Sequence, residues 1–479
     1  MDSPKRGSNQ HQQRKLPLLP LVFLIFYEVS GGPFGVEDAV GAGGALLTLL
    51  GFIVMPFLWS IPEAVITAEL ATAFPDNGGY VLWIQAAFGP FWGFQEGWWK
   101  WLSGVIDNAL YPVMFLDYLK WAIPSVGGGV VRLVSLLAIT AALTIVNYRG
   151  LTIVGYTAVA LGIFSLLPFV VLFFLAIPSL EPSRWLEVDL RNTNWTLYLN
   201  TLFWNLNYWD SVSTLVGEVD RPHETVPRAL AAALVLVVAS YLLPLLAGTG
   251  AAPPGDRKLW ADGYFAHIAL KIGGGWLKWW VELAALLSNA GMFEAEMSSD
   301  SFQLLGMAER GILPAAFARR SRYGTPVLGI LFSATGVILL SWLNFQEIIE
   351  ILNFLYCCGM LLEFAAFVWL RIKQPNLVRP YKVPLGTIGV TVMCLVPSVL
   401  LVVVMCIASA KTVVLSVVFS LVGFAVYPAI QLAKKKSWLS FIDAPDPIAL
   451  NKEKIPALAE ERIVHAREAG DEQTQLLCS

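Results

Sequence analysis

Apolar residues along this chain gather into twelve runs, each near the roughly 20 residues that a helix needs to cross a bilayer. They are 16–44, 46–73, 91–118, 130–148, 151–178 and 196–219 in the first half, then 227–249, 277–304, 325–344, 347–371, 384–409 and 412–432. Two runs are interrupted in matching ways. The first contains Ser30-Gly31-Gly32-Pro33-Phe34-Gly35, which should break a helix. The sixth contains the polar and aromatic stretch Asn205-Leu206-Asn207-Tyr208-Trp209-Asp210-Ser211. Runs one and six are five apart, as two five-helix inverted repeats require. In such membrane proteins, paired broken helices mark a site near the midplane.

Composition agrees with a chain solvated by lipid. Of 479 residues, 56 % are hydrophobic and 14 % charged, and mean hydropathy is +0.64. Soluble domains carry about 25 % charged residues, so soluble enzymes, nucleic-acid binders and disulfide-built secreted domains are excluded. The 18 Trp and 27 Phe suit membrane interfaces and helix contacts. Twelve spans place both termini on one side. Lys and Arg are twice as frequent in the loops that would share that side as in the opposite ones, which puts the tails in the cytoplasm. The sequon Asn194-Trp195-Thr196 then lies outside. No removable signal peptide is read at the basic N-terminus. The five Cys have neither disulfide-framework nor metal-ligand spacing, and no metal is expected.

Four motifs lie between the runs: Phe74-Pro75-Asp76-Asn77-Gly78-Gly79-Tyr80; Gly217-Glu218-Val219-Asp220-Arg221-Pro222 with Thr225-Val226-Pro227-Arg228-Ala229; Arg310-Gly311-Ile312-Leu313-Pro314 through Gly324-Thr325-Pro326; and Arg379-Pro380-Tyr381-Lys382-Val383-Pro384. With them the chain resembles the amino acid–polyamine–organocation superfamily, in its branch of L-type amino-acid carriers, and most closely the plant polyamine uptake transporters. The resemblance runs from about residue 16 to 432. It implies an all-α, LeuT-like fold of 12 transmembrane helices: a 5+5 inverted repeat with helices one and six broken, plus two peripheral helices. The expected layout is a cytoplasmic tail over 1–15, a transporter domain over 16–433 and a second tail over 434–479. Repeat one is about 16–178, repeat two about 196–371, and the peripheral helices about 384–432. Spans 1, 2, 6 and 7 would rock as a bundle against spans 3, 4, 8 and 9, and the plasma membrane is the family's default location.

Amino-acid carriers of this superfamily hold the substrate carboxylate on free backbone N–H groups at the first break. Gly31 and Gly32 are the matching candidates, but Pro33 removes a donor there, which a substrate without a carboxylate permits. Acidic side chains inside spans are expensive and usually face a cavity or a partner. The candidates are Glu28 in span one, Asp107 in span three, Asp210 in span six, and Glu294, Glu296 and Asp300 in span eight. A pathway lined by carboxylates suits a linear organic cation such as putrescine, spermidine or spermine. Tyr27, Tyr111, Trp204, Tyr208 and Trp209 offer ring faces for its methylenes and for cation–π contact.

Asp210, Trp204 and Asn108 match an acidic position, an aromatic gate and a substrate-contacting amide of related carriers. Asp107 has two readings, a gate contact near the substrate and a pairing with polar backbone or with Lys100. Glu294 and Glu296 are about 200° apart on a helix. Glu296 shares a stripe with Asn289, Phe293 and Asp300, whereas Glu294 shares one with Met297, Ser298 and Ser301, and either stripe could face the cavity. Glu37 and Asp38 are either gate residues or a solvated helix end.

Span five carries no charge, so proton coupling would run through buried carboxylates. The expectation is a secondary transporter that imports polyamines with protons as the coupling ion, no other cofactor, no enzymatic activity and no nucleic-acid partner. The loop between spans three and four has no Cys, so no disulfide-linked heavy chain is expected. The competing readings are a cationic or neutral amino-acid carrier or exchanger, a membrane nutrient receptor without net transport, and a channel.

Overall fold

A computed structural model describes residues 15–251, 257–261, 263–341 and 345–453. The polar stretch before Lys15 and the charged end from 454, with Cys478, lie outside the described residues. Among the described residues the chain is helical, with no strand and two isolated bridges.

The first run becomes α1 (Leu18–Val29) and α2 (Glu37–Gly43), separated where the sequence places Ser30–Gly35. Gly31, Gly32 and Gly35 take φ of +62°, +111° and +84°, conformations that a Cβ disfavours. The second run is a long helix, α3 (Ala45–Met55) and α4 (Ile61–Ala73), joined by a π-helical turn over Pro56–Ser60. That turn brings the Ser60 hydroxyl within 3.2 Å of the Leu206 carbonyl, which it serves as a donor.

After the first motif come α5 (Tyr80–Phe88), α6 (Pro90–Asn108) and its near continuation α7 (Leu110–Ala122). Next are α8 (Gly129–Arg149) and α9 (Leu151–Ala176). The sixth run is α10 (Trp195–Trp204), an irregular stretch, and a 3-10 helix over Ser211–Glu218. Asn194 caps α10, accepting the Leu197 N–H at 3.2 Å. The second half contains α11 (Pro222–Ala251), α12 (Tyr264–Gly273), α13 (Gly275–Glu309), α14 (Val327–Leu340), α15 (Phe345–Lys373), α16 (Thr387–Ile407) and α17 (Ala410–Lys435).

Seven helices among the described residues are long and apolar enough to cross a membrane, with α1 and α14 as shorter apolar ones. On α8, α11, α14, α16 and α17, large hydrophobics such as Val130, Val235, Leu339, Ile388 and Val414 are exposed. An exposed apolar surface of this extent belongs in lipid. The helices α6 and α13 fall outside the seven although both are long. They carry the charged residues Glu96, Lys100 and Asp107, and Glu294, Glu296 and Asp300, all buried.

The four motifs meet in one interlocked layer at the helix ends. Arg310 pairs with Asp76 at 2.7 Å, and Arg320 pairs with Glu218 at 2.8 Å and Glu309 at 3.3 Å. The Asn77 amide donates to Glu218, while Leu16 and Val219 form a parallel bridge. Buried Glu69 of α4 accepts from Arg371 and the Val383 N–H, and Arg379 forms an ion pair with it at 2.9 Å. The segment after α17 lies across this layer and is helical over 447–453. Its Ser440 carbonyl accepts the Ala315 N–H, and Asn451 bonds Ala73 and Val378.

At the layer's closest crossing, a Cβ on Gly306 would stand 2.3 Å from the Asn77 backbone. Gly306→Ala should therefore destabilise the protein by about 1–3 kcal/mol, the range for overpacking. Thermal unfolding of the detergent-purified chain would show it as a lower midpoint, and an unchanged midpoint would mean that the loop yields.

Candidate functional site

The site grows out of the two breaks, where helical hydrogen bonds stop and other groups must take over the freed backbone. At the first break, the Gly31 N–H returns to the Phe26 carbonyl at 3.1 Å. The Gly32 N–H donates to Ser30 Oγ at 3.0 Å, and the Gly35 N–H to Glu37 Oε2 at 3.1 Å. The Gly31 carbonyl accepts the Ser288 hydroxyl. Pro33 has no N–H to offer. Glu37 is thus buried and closes the break, whereas Asp38 is half-buried.

At the second break, Tyr241 Oη donates to the Asn205 carbonyl at 2.9 Å. The Leu206 carbonyl takes Ser60 Oγ and Trp209 Nε1. The Tyr208 N–H donates to Tyr356 Oη at 2.8 Å. Tyr208 has φ +67°, a strained conformation for a bulky residue that the surrounding bonds must enforce.

Between the breaks is a small cavity lined by Glu28, Ser30, Asp107, Tyr111, Trp204 and Tyr208, with Met292 of α13. Trp204 Nε1 donates to Asp107 Oδ1 at 2.9 Å, and Tyr111 Oη to Asp107 Oδ2 at 2.7 Å. The Trp204 ring lies against Gly35, where a Cβ would meet it at 2.8 Å. Glu28 accepts from Ser299 Oγ at 3.2 Å and neighbours Glu296. Glu296 and Asp300 converge on Gly104, and a Cβ there would be 2.6 Å from one carboxylate and 2.4 Å from the other.

Of the two α13 stripes, the one with Glu296 and Asp300 therefore joins Glu28, and Phe293 on it is fully buried. Glu294 is on the side of Tyr27, and its neighbour Ser298 bonds Asn147. Tyr27 packs its ring over Gly291. Asn108 is buried with neither amide atom hydrogen-bonded, and the buried Trp209 is held by its own Leu206 carbonyl. Glu28, Asp107, Glu296 and Asp300 form no ion pair among the described residues.

Asp210 lies elsewhere. It is fully buried and pairs with Lys100 of α6 at 2.5 Å. Lys100, 3 % exposed, also meets Glu363 of α15 at 3.1 Å and caps the Tyr356 ring at 3.6 Å. Lys100 is thus the partner of Asp210 and not of Asp107. The sequence reading passes over Glu63, Glu96 and Glu363. Each is an acid inside an apolar run, and that same signal would have found them.

A helical membrane protein with two opposed helix breaks around an occluded acidic cavity has the build of a transporter, not of an enzyme. The amino acid permease family profile matches residues 16–428. This chain belongs to that family, and it is an integral, multi-pass membrane protein. Its similar relatives carry more specific names. "Polyamine transporter PUT1" of Oryza sativa subsp. japonica is 58 % identical over 97 % of this chain and 87 % of its own length. "Polyamine transporter RMV1" of Arabidopsis thaliana is 61 % identical over 92 % and 89 %. A further Arabidopsis protein named a probable polyamine transporter is 63 % identical over 91 % and 92 %.

Breaking a buried ion pair by removing one partner costs about 3–5 kcal/mol. Lys100→Met should therefore lower the thermal midpoint strongly, and so should Asp210→Asn. The double variant should lose less than the two singles added together, and strict additivity in such a cycle would show that the two groups do not interact.

Proposed function

We propose that this protein imports polyamines such as putrescine, spermidine and spermine, by alternating access and in symport with protons. The observation that carries this reading is the cavity's charge. Glu28 and Asp107 line it and Glu296 and Asp300 lie beside Glu28, with no ion-pair partner for any of the four among the described residues. Burying carboxylates without a counter-charge is costly, and an organic cation is the counter-charge such a site selects.

The first break supports the same conclusion from the other side. The N–H groups of Gly31, Gly32 and Gly35 already have acceptors, so a substrate carboxylate would have to displace them. That disfavours an amino acid as the cargo and leaves nothing against a diamine. Trp204, Tyr208 and Tyr111 line the cavity beside Asp107, where their rings suit a methylene chain and an ammonium face. The names of the similar rice and Arabidopsis proteins agree with this substrate class.

The membrane arrangement that fits is twelve spans in a 5+5 inverted repeat plus two, with both tails in the cytoplasm and the plasma membrane as the location. All twelve apolar runs coincide with helices or broken helices. The interlocked motif layer is then the inner gate, where Arg310–Asp76 and Arg320–Glu218 would tie the rocking bundle to its scaffold.

Uptake in cells lacking polyamine transport tests the reading, with labelled putrescine and spermidine against leucine and arginine. Polyamine uptake that a protonophore collapses is the expected result, and uptake of amino acids alone would overturn it. Within the site, Gly104→Ala should push Glu296 and Asp300 apart and raise the putrescine KM at least about tenfold, equivalent to about 1.4 kcal/mol of lost binding. An unchanged KM at equal surface abundance would remove the α13 carboxylates from the binding site.

A further inference from the structure

Beyond Tyr208, away from the cavity, is a second buried cluster of charged side chains, packed around Lys100 into a closed chamber of its own contacts. Lys100 occupies its centre, with Asp210 and Glu363 against its ammonium and Tyr356 beneath it. Glu96, one turn before Lys100 on α6, lies beside Lys100 and Glu363. Glu63 of α4 touches Tyr356 and receives the Asp210 N–H at 3.3 Å. Tyr80 of α5 also faces Lys100, and Cys357 and Cys358 of α15 border the group. Four carboxyl groups thus share one ammonium, all of them at most 1 % exposed. Ionised together they would leave three uncompensated negative charges in a dry interior, which the desolvation penalty forbids.

Hydrogen bonding around Tyr356 shows where a proton must sit. Its oxygen receives the Tyr208 N–H at 2.8 Å and touches both Glu63 Oε1 and Asp210 Oδ1, the latter at 2.9 Å. A phenol has one proton to donate and two lone pairs. It can donate to one carboxylate only, so the other contact needs a proton on the carboxyl group. Asp210 Oδ2 already takes the Lys100 ammonium, which favours ionised Asp210. A proton on Glu63 then completes the set. Glu63 donates to Tyr356, Tyr356 donates to Asp210, and the second lone pair of Tyr356 holds the Tyr208 N–H. Outside this chain, Glu63 Oε2 and both oxygens of Glu96 are buried and accept no hydrogen bond, so the chamber keeps unfilled capacity for protons.

Tyr208 connects this chamber with the cavity. Its ring lines the cavity and packs on Tyr356 with centroids 4.6 Å apart, and its hydroxyl bonds Ser103 of α6 at 2.7 Å. A substrate that moves the Tyr208 ring disturbs the Tyr356 ring packed on it, whose hydroxyl lies between Glu63 and Asp210.

We propose that the chamber around Lys100 is the proton-binding site of this transporter, that Glu63 carries the proton, and that Tyr208 and Tyr356 link its occupancy to the substrate cavity. This rests on the symport reading above. It assigns to Asp210 a place in coupling, through its pair with Lys100, instead of direct contact with the substrate.

The experiment uses the full-length protein purified into liposomes, with labelled putrescine as the probe. Counterflow at equal pH on both sides needs no net proton movement and reports that each variant is folded and turns over. The informative quantity is the ratio of putrescine accumulated with and without an inside-alkaline gradient of one pH unit, with the membrane potential clamped. One proton per turnover gives a ratio of about ten. Glu63→Gln should bring that ratio to about one, and Glu63→Asp, which keeps a protonable oxygen, should restore most of it. If Glu63→Gln shows no counterflow, Tyr356→Phe replaces it and should also bring the ratio to about one. Wild-type protein that exchanges putrescine but ignores the gradient would overturn the symport reading and this site with it. A gradient-driven wild type with equally driven variants would overturn the site alone.

Discussion

The interior of this protein depends on the ion pair between Lys100 and Asp210, which joins two points 110 residues apart. Asp210 ends the irregular stretch after α10, so its position fixes how that stretch leaves the helix. With Asp210 held, the N–H of Tyr208 meets Tyr356 and its ring forms a wall of the cavity. Lys100 in turn rests on Tyr356 and faces α15 through Glu363. One ammonium thus ties α6, α15 and the second break into a single unit. Removing Lys100 leaves Asp210 buried without a counter-charge, and removing Asp210 leaves Lys100 paired with Glu363 and no longer tied to the second break, which is why the pair constrains so much of its surroundings.

The second constraint is that a chain in lipid must satisfy its own backbone. Both breaks do so with side chains and short returns of the chain, and the manner of satisfaction has chemical consequences. At the first break, Ser30 and Glu37 occupy the amides of Gly32 and Gly35. Those amides would otherwise attract an anion, as open helix ends do. The same substitution of side chain for solvent at the second break uses Ser60, Tyr241 and Tyr356. Each comes from a neighbouring helix, so the break is held by the packing around it.

How much of this the sequence reveals depends on whether the determinant is local. The twelve apolar runs and both breaks follow from composition over a few residues, and helix limits agree to within a few positions. Glycine marks the first break because positive φ demands it. The second break is marked by polar residues alone, and Tyr208 shows that a non-glycine can be forced into that conformation by distant bonds. The Lys100–Asp210 pairing is not legible, because nothing within either run specifies its partner. The choice between Glu294 and Glu296 is set by the close approach of α6 at Gly104, a contact across 192 to 196 residues that periodicity alone does not reveal. The motifs are legible as strings of Gly, Pro and charge, but their common layer appears only when Arg310, Arg320 and Arg379 find acids from elsewhere.

The two acidic groups are instructive as a pair. They contain similar carboxylates, are similarly buried and are separated by Tyr208, yet one includes a lysine and the other none. Even with its lysine, the Lys100 group sets four carboxyl groups against one ammonium and needs protons to balance them. A group without one is neutralised only by an arriving cation or by protons. Four bare carboxylates in low dielectric are not a stable state, so the cavity favours loading with an organic cation. The asymmetry between the two groups thus follows from electrostatics before any particular cargo is named. The self-satisfied first break then narrows the cargo to cations that carry no carboxylate.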